Sequence, residues 1–233
     1  MTASPASGAA ANSSPWAREP VTAAPETAAL LDRLRDRLDP VEGPTGLPRF
    51  GDADLNGGAA GVPAAFADVE IRTAAVVAPL ILHDGPPRLL LTERASHLPR
   101  HAGQVAFPGG RIDDNGETAA QAAVRELEEE VGISPAHVEL IGRFDAYATV
   151  TGYHVTPFVG VIKPGYVVRP DPGEVADVFE TPFDFLMDPA NHQRQSREWQ
   201  GHVRHFYAMP WQGRYIWGAT AGMLKSLHDR LYG

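Results

Sequence analysis

The chain has 233 residues, of which 43% are hydrophobic and 21% charged, the balance of a globular protein. A formal net charge of −9 excludes nucleic-acid binding by bulk positive charge, but it leaves room for a phosphate-bearing ligand, because a bound divalent cation reverses the local field. There is no cysteine for a disulfide or a thiolate metal site, no apolar run of membrane-span length, and no basic-then-apolar leader at the N-terminus. A cytoplasmic protein with no membrane partner is therefore expected.

Residues 1–24 are rich in Ala, Ser, Thr and Pro and are expected to form a disordered tail. Leu30, Leu31, Leu34 and Leu38 recur at helical spacing, which predicts a helix from Glu26 to Leu38, ended by Pro40. Prolines and glycines then mark a linker, so residues 25–67 read as one N-terminal helix and a connection. Residues 68–233 read as the main domain. Within it, Ala74–Leu82 and Arg88–Thr92 flank His83-Asp84-Gly85-Pro86-Pro87 and predict a β-hairpin. A strand over Gln104–Phe107 leads to Pro108-Gly109-Gly110, read as a turn, and then to a helix over Glu117–Val131. Strands follow at Val138–Ala146, His154–Ile162 and Val175–Glu180, with a helical turn at Phe183–Met187. The segment His192–His205 reads as a solvated hairpin with three histidines and three arginines, His202–Met209 as a strand, and Trp217–Leu231 as a terminal helix. Strands dominate with helices interspersed, so the fold class is α+β, a mixed α/β sandwich.

The stretch Glu117–Ile133 carries the most chemical information. Ala120, Ala123, Val124, Leu127 and Val131 form one apolar stripe that is expected to pack on the sheet. Glu126, Glu129 and Glu130 share a second face roughly 100° away, where they would edge the core without being buried in it. On an isolated helix such a triplet is ordinarily a solvated acidic face, with Arg125 paired to Glu129 four residues on. Clustered carboxylates repel one another, and a bound divalent cation removes that penalty; with oxygen ligands alone, Mg²⁺ or Mn²⁺ is favoured over zinc. Glu117 by itself reads as a favourable charge at a helix N-terminus, and Gly109-Gly110 by itself as a turn.

Taken together, Glu117, seven residues, then Arg125-Glu126-Leu127-Glu128-Glu129-Glu130-Val131-Gly132-Ile133 resembles the Nudix box. The family pattern is Gly, five residues, Glu, seven residues, then Arg-Glu-apolar-x-Glu-Glu-x-Gly-apolar. Every specified position from Glu117 to Ile133 matches, with one departure: six residues separate Gly110 from Glu117. Upstream, Leu90-Leu91-Thr92-Glu93-Arg94 and Gly103-Gln104-Val105-Ala106-Phe107-Pro108-Gly109-Gly110 are similar to the signature before the box in the coenzyme A-directed branch. That match departs at Ala95, where Ser is usual, and at Pro99, where Arg is expected and Arg100 stands alongside. The resemblance covers about residues 70–228 and implies a Nudix-like α/β/α sandwich.

The resemblance also implies an activity: metal-dependent hydrolysis of the diphosphate bond of coenzyme A or an acyl-CoA, giving 3′,5′-ADP and 4′-phosphopantetheine. The alternatives are another nucleoside diphosphate derivative as substrate, or a non-catalytic nucleotide-binding module on the same fold. On this reading Glu126, Glu129, Glu130 and Glu117 are the metal residues, with Mg²⁺ or Mn²⁺ as cofactor. Glu126, Glu129 and Arg125 are catalytic, and the residues alone do not separate metal ligand from general base at Glu126. Arg94, Arg100, Gly109 and Gly110 are the substrate-binding candidates, the two arginines toward phosphate. Glu174 reads first as a solvated turn residue and second as a distal carboxylate. The implied partner is a small nucleotide-type substrate, and the resemblance is compatible with a homodimer.

Overall fold

A computed structural model describes residues 25–44, 46–57, 70–82, 85–199 and 201–233. The expected tail over residues 1–24 lies outside them, as do parts of the linker and residues 83–84 of the expected hairpin turn.

The elements follow the apolar patterning. Helix α1 (Pro25–Arg37) packs by Thr27 and Leu34. Strands β2 (Arg72–Ile81) and β3 (Arg88–Arg94) form the expected hairpin, with Leu80 opposite Leu89 and Ile81 opposite Arg88. The central partner of β2 is β8 (Tyr153–Ile162), paired in parallel over its whole length. Both strands are apolar on both faces, as a strand covered on two sides must be. Strand β9 (Val175–Pro182) adds to the far side of β3, and β4 (Val105–Ala106) pairs with the end of β3. With β1 (Phe50–Gly51), β5 (Gly109–Arg111), β6 (Val138–Arg143) and β7 (Tyr147–Ala148), these make one mixed nine-stranded sheet.

Helix α2 (Ala119–Val131) covers one face of this sheet, burying Ala122, Ala123, Leu127 and Val131 against Ala75, Val77, Leu90 and Phe158. On the other face, α1, α3 (Phe183–Met187) and α4 (Ala219–Tyr232) bury Leu34, Phe183, Leu224 and Leu227 against Ala78, Leu89, Leu91 and Val159. The three-layer α/β/α arrangement expected from the sequence is therefore present. A separate three-stranded antiparallel sheet, β10 (Gln193–Trp199), β11 (His202–Trp211) and β12 (Arg214–Trp217), leads into α4.

Three expectations are corrected and one is met. The Gly109-Gly110 turn is a strand, β5, in antiparallel register with Ala74, Ala75 and Val76 of β2. The single strand expected over Val138–Ala146 stops at Arg143, where the Phe144 N–H turns to the Pro157 carbonyl, and pairing resumes only at Tyr147. The expected solvated hairpin at His192–His205 is present: Gln193–Trp199 pairs antiparallel with β11, and most of its described residues are exposed. The linker contributes β1, held by Asp52, whose carboxylate accepts from the Tyr147 hydroxyl at 2.8 Å and the Val150 N–H at 2.9 Å. No helix among the described residues is long and apolar enough to cross a membrane.

Phe158 is fully buried beneath α2 and links the two strands at the centre of the sheet. Phe158→Ala is expected to cost about 3–5 kcal/mol. Urea unfolding should show a lower midpoint at unchanged m; a loss below about 1 kcal/mol would contradict this packing role.

Candidate active site

The site is built on α2 and begins with its cap. The Thr118 hydroxyl accepts from the Gln121 N–H at 3.2 Å, and the Gln121 side chain accepts from the Thr118 N–H at 2.9 Å, a reciprocal capping box. The helix therefore starts at Ala119 and not at Glu117. Glu117 lies outside it, where its N–H donates to Asn115 Oδ1 at 3.1 Å and its own Oε2 accepts the Asp113 N–H at 2.9 Å. Glu117 thus faces a side chain rather than the helix terminus.

That side chain is Arg125. Its Nε donates to Glu117 Oε1 at 2.7 Å, and its Nη1 donates to Glu126 Oε1 and Glu129 Oε2, each at 2.9 Å. Nη2 reaches Glu117 Oε2 at 3.2 Å and the Arg111 carbonyl at 3.1 Å. The expected Arg125–Glu129 pair is present, as one contact of five. Arg125 is held firmly in its charged form, first by the Glu117 hydrogen bond, and Glu117 in return is held below the usual carboxylate range.

Glu130 departs from expectation. It is 5% exposed and lies on the buried face of α2 with Ala123 and Leu127, whereas Ala120 and Val124 of the expected stripe are only partly covered. Its Oε2 accepts the Gly109 N–H at 3.4 Å, and its Oε1 lies 3.9 Å from Arg94 Nη1. Burial, reinforced by the Glu126 charge, pushes its pKa up to about 8. Glu126 is also raised, by burial first, against the downward pull of Arg125. Glu174 stands at the turn before β9, and its charge adds to the rise at both groups.

Two glycines permit this approach. A Cβ on Gly110 would lie 2.4 Å from Glu126 Oε1, so a side chain there would displace that carboxylate from its present position. Gly132 ends α2 at φ 77°, donating to the Glu128 carbonyl at 2.8 Å, and a Cβ there would lie 2.7 Å from the Arg169 carbonyl.

The structure thus brings together Glu117, Arg125, Glu126, Glu129, Glu130, Arg94, Gly109 and Gly110. It does not bring in Arg100. Residues 95–104 form a loop closed at its base by the Gly103 N–H on the Arg94 carbonyl and the Arg94 N–H on the Gln104 carbonyl. Arg100 is exposed on the outer part of that loop and forms no ion pair with these carboxylates. Among the described residues no three Asp, Glu, His or Cys side chains are preassembled to hold a metal, and three of the four box carboxylates are turned to Arg125. The donor set nevertheless fits a hard divalent cation: every candidate ligand is a carboxylate, and burial disfavours the ionised form of both Glu126 and Glu130.

The NUDIX domain family matches residues 71–208. The chain is 42% identical over 156 residues to NudL of Escherichia coli strain K12, described as an uncharacterized Nudix hydrolase, covering 67% of this chain and 81% of that protein. NudL of Enterobacter sp. strain 638 is 41% identical over the same length and shares. Among solved structures, the NUDIX domain of Shewanella oneidensis NrtR, complexed with ADP ribose, is 17% identical with a TM-score of 0.43, covering 74% of this chain and 95% of that one.

The raised Glu130 pKa has a consequence for stability. The folded state holds this proton more tightly than the unfolded chain, so the contribution is complete below the unfolded pKa of about 4.5 and is lost as pH rises through about 8. In chelator, unfolding free energy is expected to decline between about pH 5 and 8.5, and Glu130→Gln should flatten that decline. Equal slopes in the two proteins, measured by urea unfolding across the range, would contradict the burial of an ionisable group here.

Proposed function

The chain belongs to the Nudix hydrolase family, which acts on phosphorus-containing anhydrides, and from that premise we propose that its substrate is coenzyme A or an acyl-CoA, cleaved at the diphosphate to 3′,5′-ADP and 4′-phosphopantetheine. The observation that carries the choice is the segment before the box. Leu90–Arg94 and Gly103–Gly110, the stretches similar to the coenzyme A-directed branch, are β3, β4 and β5, and they deliver Arg94 to within 3.9 Å of Glu130. The Arg94 side chain is 31% exposed, and its Nη1 stands 3.9 Å from Glu130 Oε1, beyond hydrogen-bond distance, which leaves the guanidinium tip to meet phosphate oxygens beside the carboxylates.

Glu126, Glu129 and Glu130 would hold Mg²⁺ or Mn²⁺, with Glu117 supporting a further ion through water. Such ions, when bound, neutralise phosphate oxygens and lower the pKa of water. The remaining work falls to the protein. Arg125 fixes the rotamers of Glu117, Glu126 and Glu129 from one planar group, so the carboxylates are placed before substrate arrives. Glu126 is the proposed acceptor of the water proton: it sits over Gly110, half-buried, and that burial raises its pKa. Gly109 and Gly110 leave the backbone bare beside the diphosphate. Arg94 orients a phosphate oxygen and offsets charge in a chain of net −9.

Mass spectrometry after incubation of coenzyme A with the protein and Mg²⁺ is expected to show 3′,5′-ADP and 4′-phosphopantetheine, and neither in chelator. Glu126→Gln and Glu129→Gln should remain folded and lose at least about a hundredfold in kcat. Absence of these products, with turnover of a different nucleoside diphosphate derivative, would overturn the coenzyme A reading. Near-normal kcat in the folded Gln variants would overturn the residue roles.

A further inference from the structure

The small β10–β12 sheet sits apart from α2, yet one of its side chains reaches the strands that carry the site. Strands β11 and β12 are joined by Gln212-Gly213, both at positive φ (44° and 80°), with Trp211 opposite Arg214. This is the two-residue connection that matches strand twist, and it fixes where Arg214 starts β12. Arg214 Nη1 donates to Glu93 Oε2 at 2.6 Å, and Nη2 donates to Asp177 Oδ2. The guanidinium also lies over the Phe179 ring, 4.6 Å from its centroid.

Glu93 and Asp177 are directly opposite in the antiparallel β3–β9 pair. Like charges in that relation repel, and Arg214 is the cation between them. Immediately beyond this pair the register shifts, so that Arg94 faces Val175 and Ala176 is the extra residue. A bulge of this kind bends the strand and re-aims the side chains next to it. Here the next residues are Arg94, which turns to Glu130, and Ala95, whose N–H binds the Glu174 carbonyl at 2.8 Å. Strand alternation puts Glu93 on the face shared with Leu89 and Leu91, toward α4, and Arg94 on the face shared with Leu90, toward α2.

We propose that Arg214 is a positioning residue for Arg94: by clamping Glu93 to Asp177 from the opposite face of the sheet, it holds the bulge that aims the Arg94 guanidinium at the substrate diphosphate. It rests on the reading that Arg94 contacts that diphosphate. Arg214 itself stays on the far face and touches no substrate. Its removal leaves two facing carboxylates at the base of the bulge, and Arg94 loses its aim. The chemistry at Glu126 and Glu129 is untouched, so the cost falls on substrate binding.

The test is steady-state kinetics with coenzyme A and Mg²⁺ on Arg214→Met, on Arg214→Met combined with Glu93→Gln and Asp177→Asn, and on Arg94→Met with and without Arg214→Met. Arg214→Met is expected to raise KM about tenfold while kcat stays within about threefold. Neutralising Glu93 and Asp177 removes the repulsion and should return KM to near the wild-type value, a rescue that a residue contacting substrate would not give. In the Arg94→Met background, Arg214→Met should raise KM no further. Should Arg214→Met not fold, Arg214→Lys is read in the same way, because a lysine holds one carboxylate as a point charge and not both. An unchanged KM in a folded Arg214 variant, a raised KM that the two neutral partners do not rescue, or additive effects with Arg94→Met would each overturn the proposal. If wild type leaves coenzyme A intact, that result falls on the substrate reading alone, and the same proteins are compared by their Kd for ADP with Mg²⁺, with the same pattern expected.

Discussion

Everything at this site turns on one guanidinium. Arg125 lies among Glu117, Glu126 and Glu129 and donates to all three from a single plane, while Glu130 is packed into the face of α2 behind them. One arginine does not balance four carboxylates, and Arg94, at 3.9 Å from Glu130, offsets only part of the remainder. Burial is the first cause of the raised pKa values of Glu126 and Glu130, and neighbouring carboxylate charge adds to both. A solvated acidic face would show neither the burial nor the shift. The geometry therefore describes a site whose carboxylates are held at a cost, one that a bound divalent cation would relieve.

The fold supplies what such a site requires. Thr118 starts the helix one residue after Glu117, which frees that carboxylate to turn back onto Arg125. Strand β5 runs close beneath Glu126, where Gly110 has no side chain to displace the carboxylate, and its partner β2 is anchored to β8 along ten registered pairs. Gly132 ends the helix tightly against the Arg169 backbone, so residues 169–171 return past Val131 and Glu130 toward Glu174. From the other face, Arg214 bridges Glu93 and Asp177 at the base of the bulge that presents Arg94. The chemical side chains come from helix, strand and turn, but each is fixed by regular backbone pairing or a cap, which keeps the constellation rigid.

Much of this was legible in the sequence because it is local. The helical spacing of the box, the apolar runs of β2, β3 and β8, and the Arg125–Glu129 pair four residues apart all follow from short-range periodicity. What escaped was long-range. The burial of Glu130 depends on how α2 rotates onto Ala75 and Leu90; the sequence stripe includes Ala120 and Val124, whereas the buried face takes in Ala122 and Glu130 instead. Glu117 reads locally as a charge at a helix terminus, because its true partner, Arg125, lies eight residues away, across the cap. Strand β1 is two residues long and is held by Asp52 to Tyr147 and Val150, contacts that no local pattern announces. Arg214 carried no signal of its own, since its partners lie 121 and 37 residues distant.

The surplus of carboxylate over Arg125 is tested most directly by thermal unfolding of the wild type and of Glu126→Gln/Glu130→Gln, each in chelator and in Mg²⁺. The account predicts that Mg²⁺ raises the wild-type Tm by mass action, that the double variant loses this rise, and that in chelator near pH 8 the double variant is at least as stable as the wild type. A wild-type Tm indifferent to Mg²⁺, or a double variant clearly less stable than wild type in chelator, would contradict it.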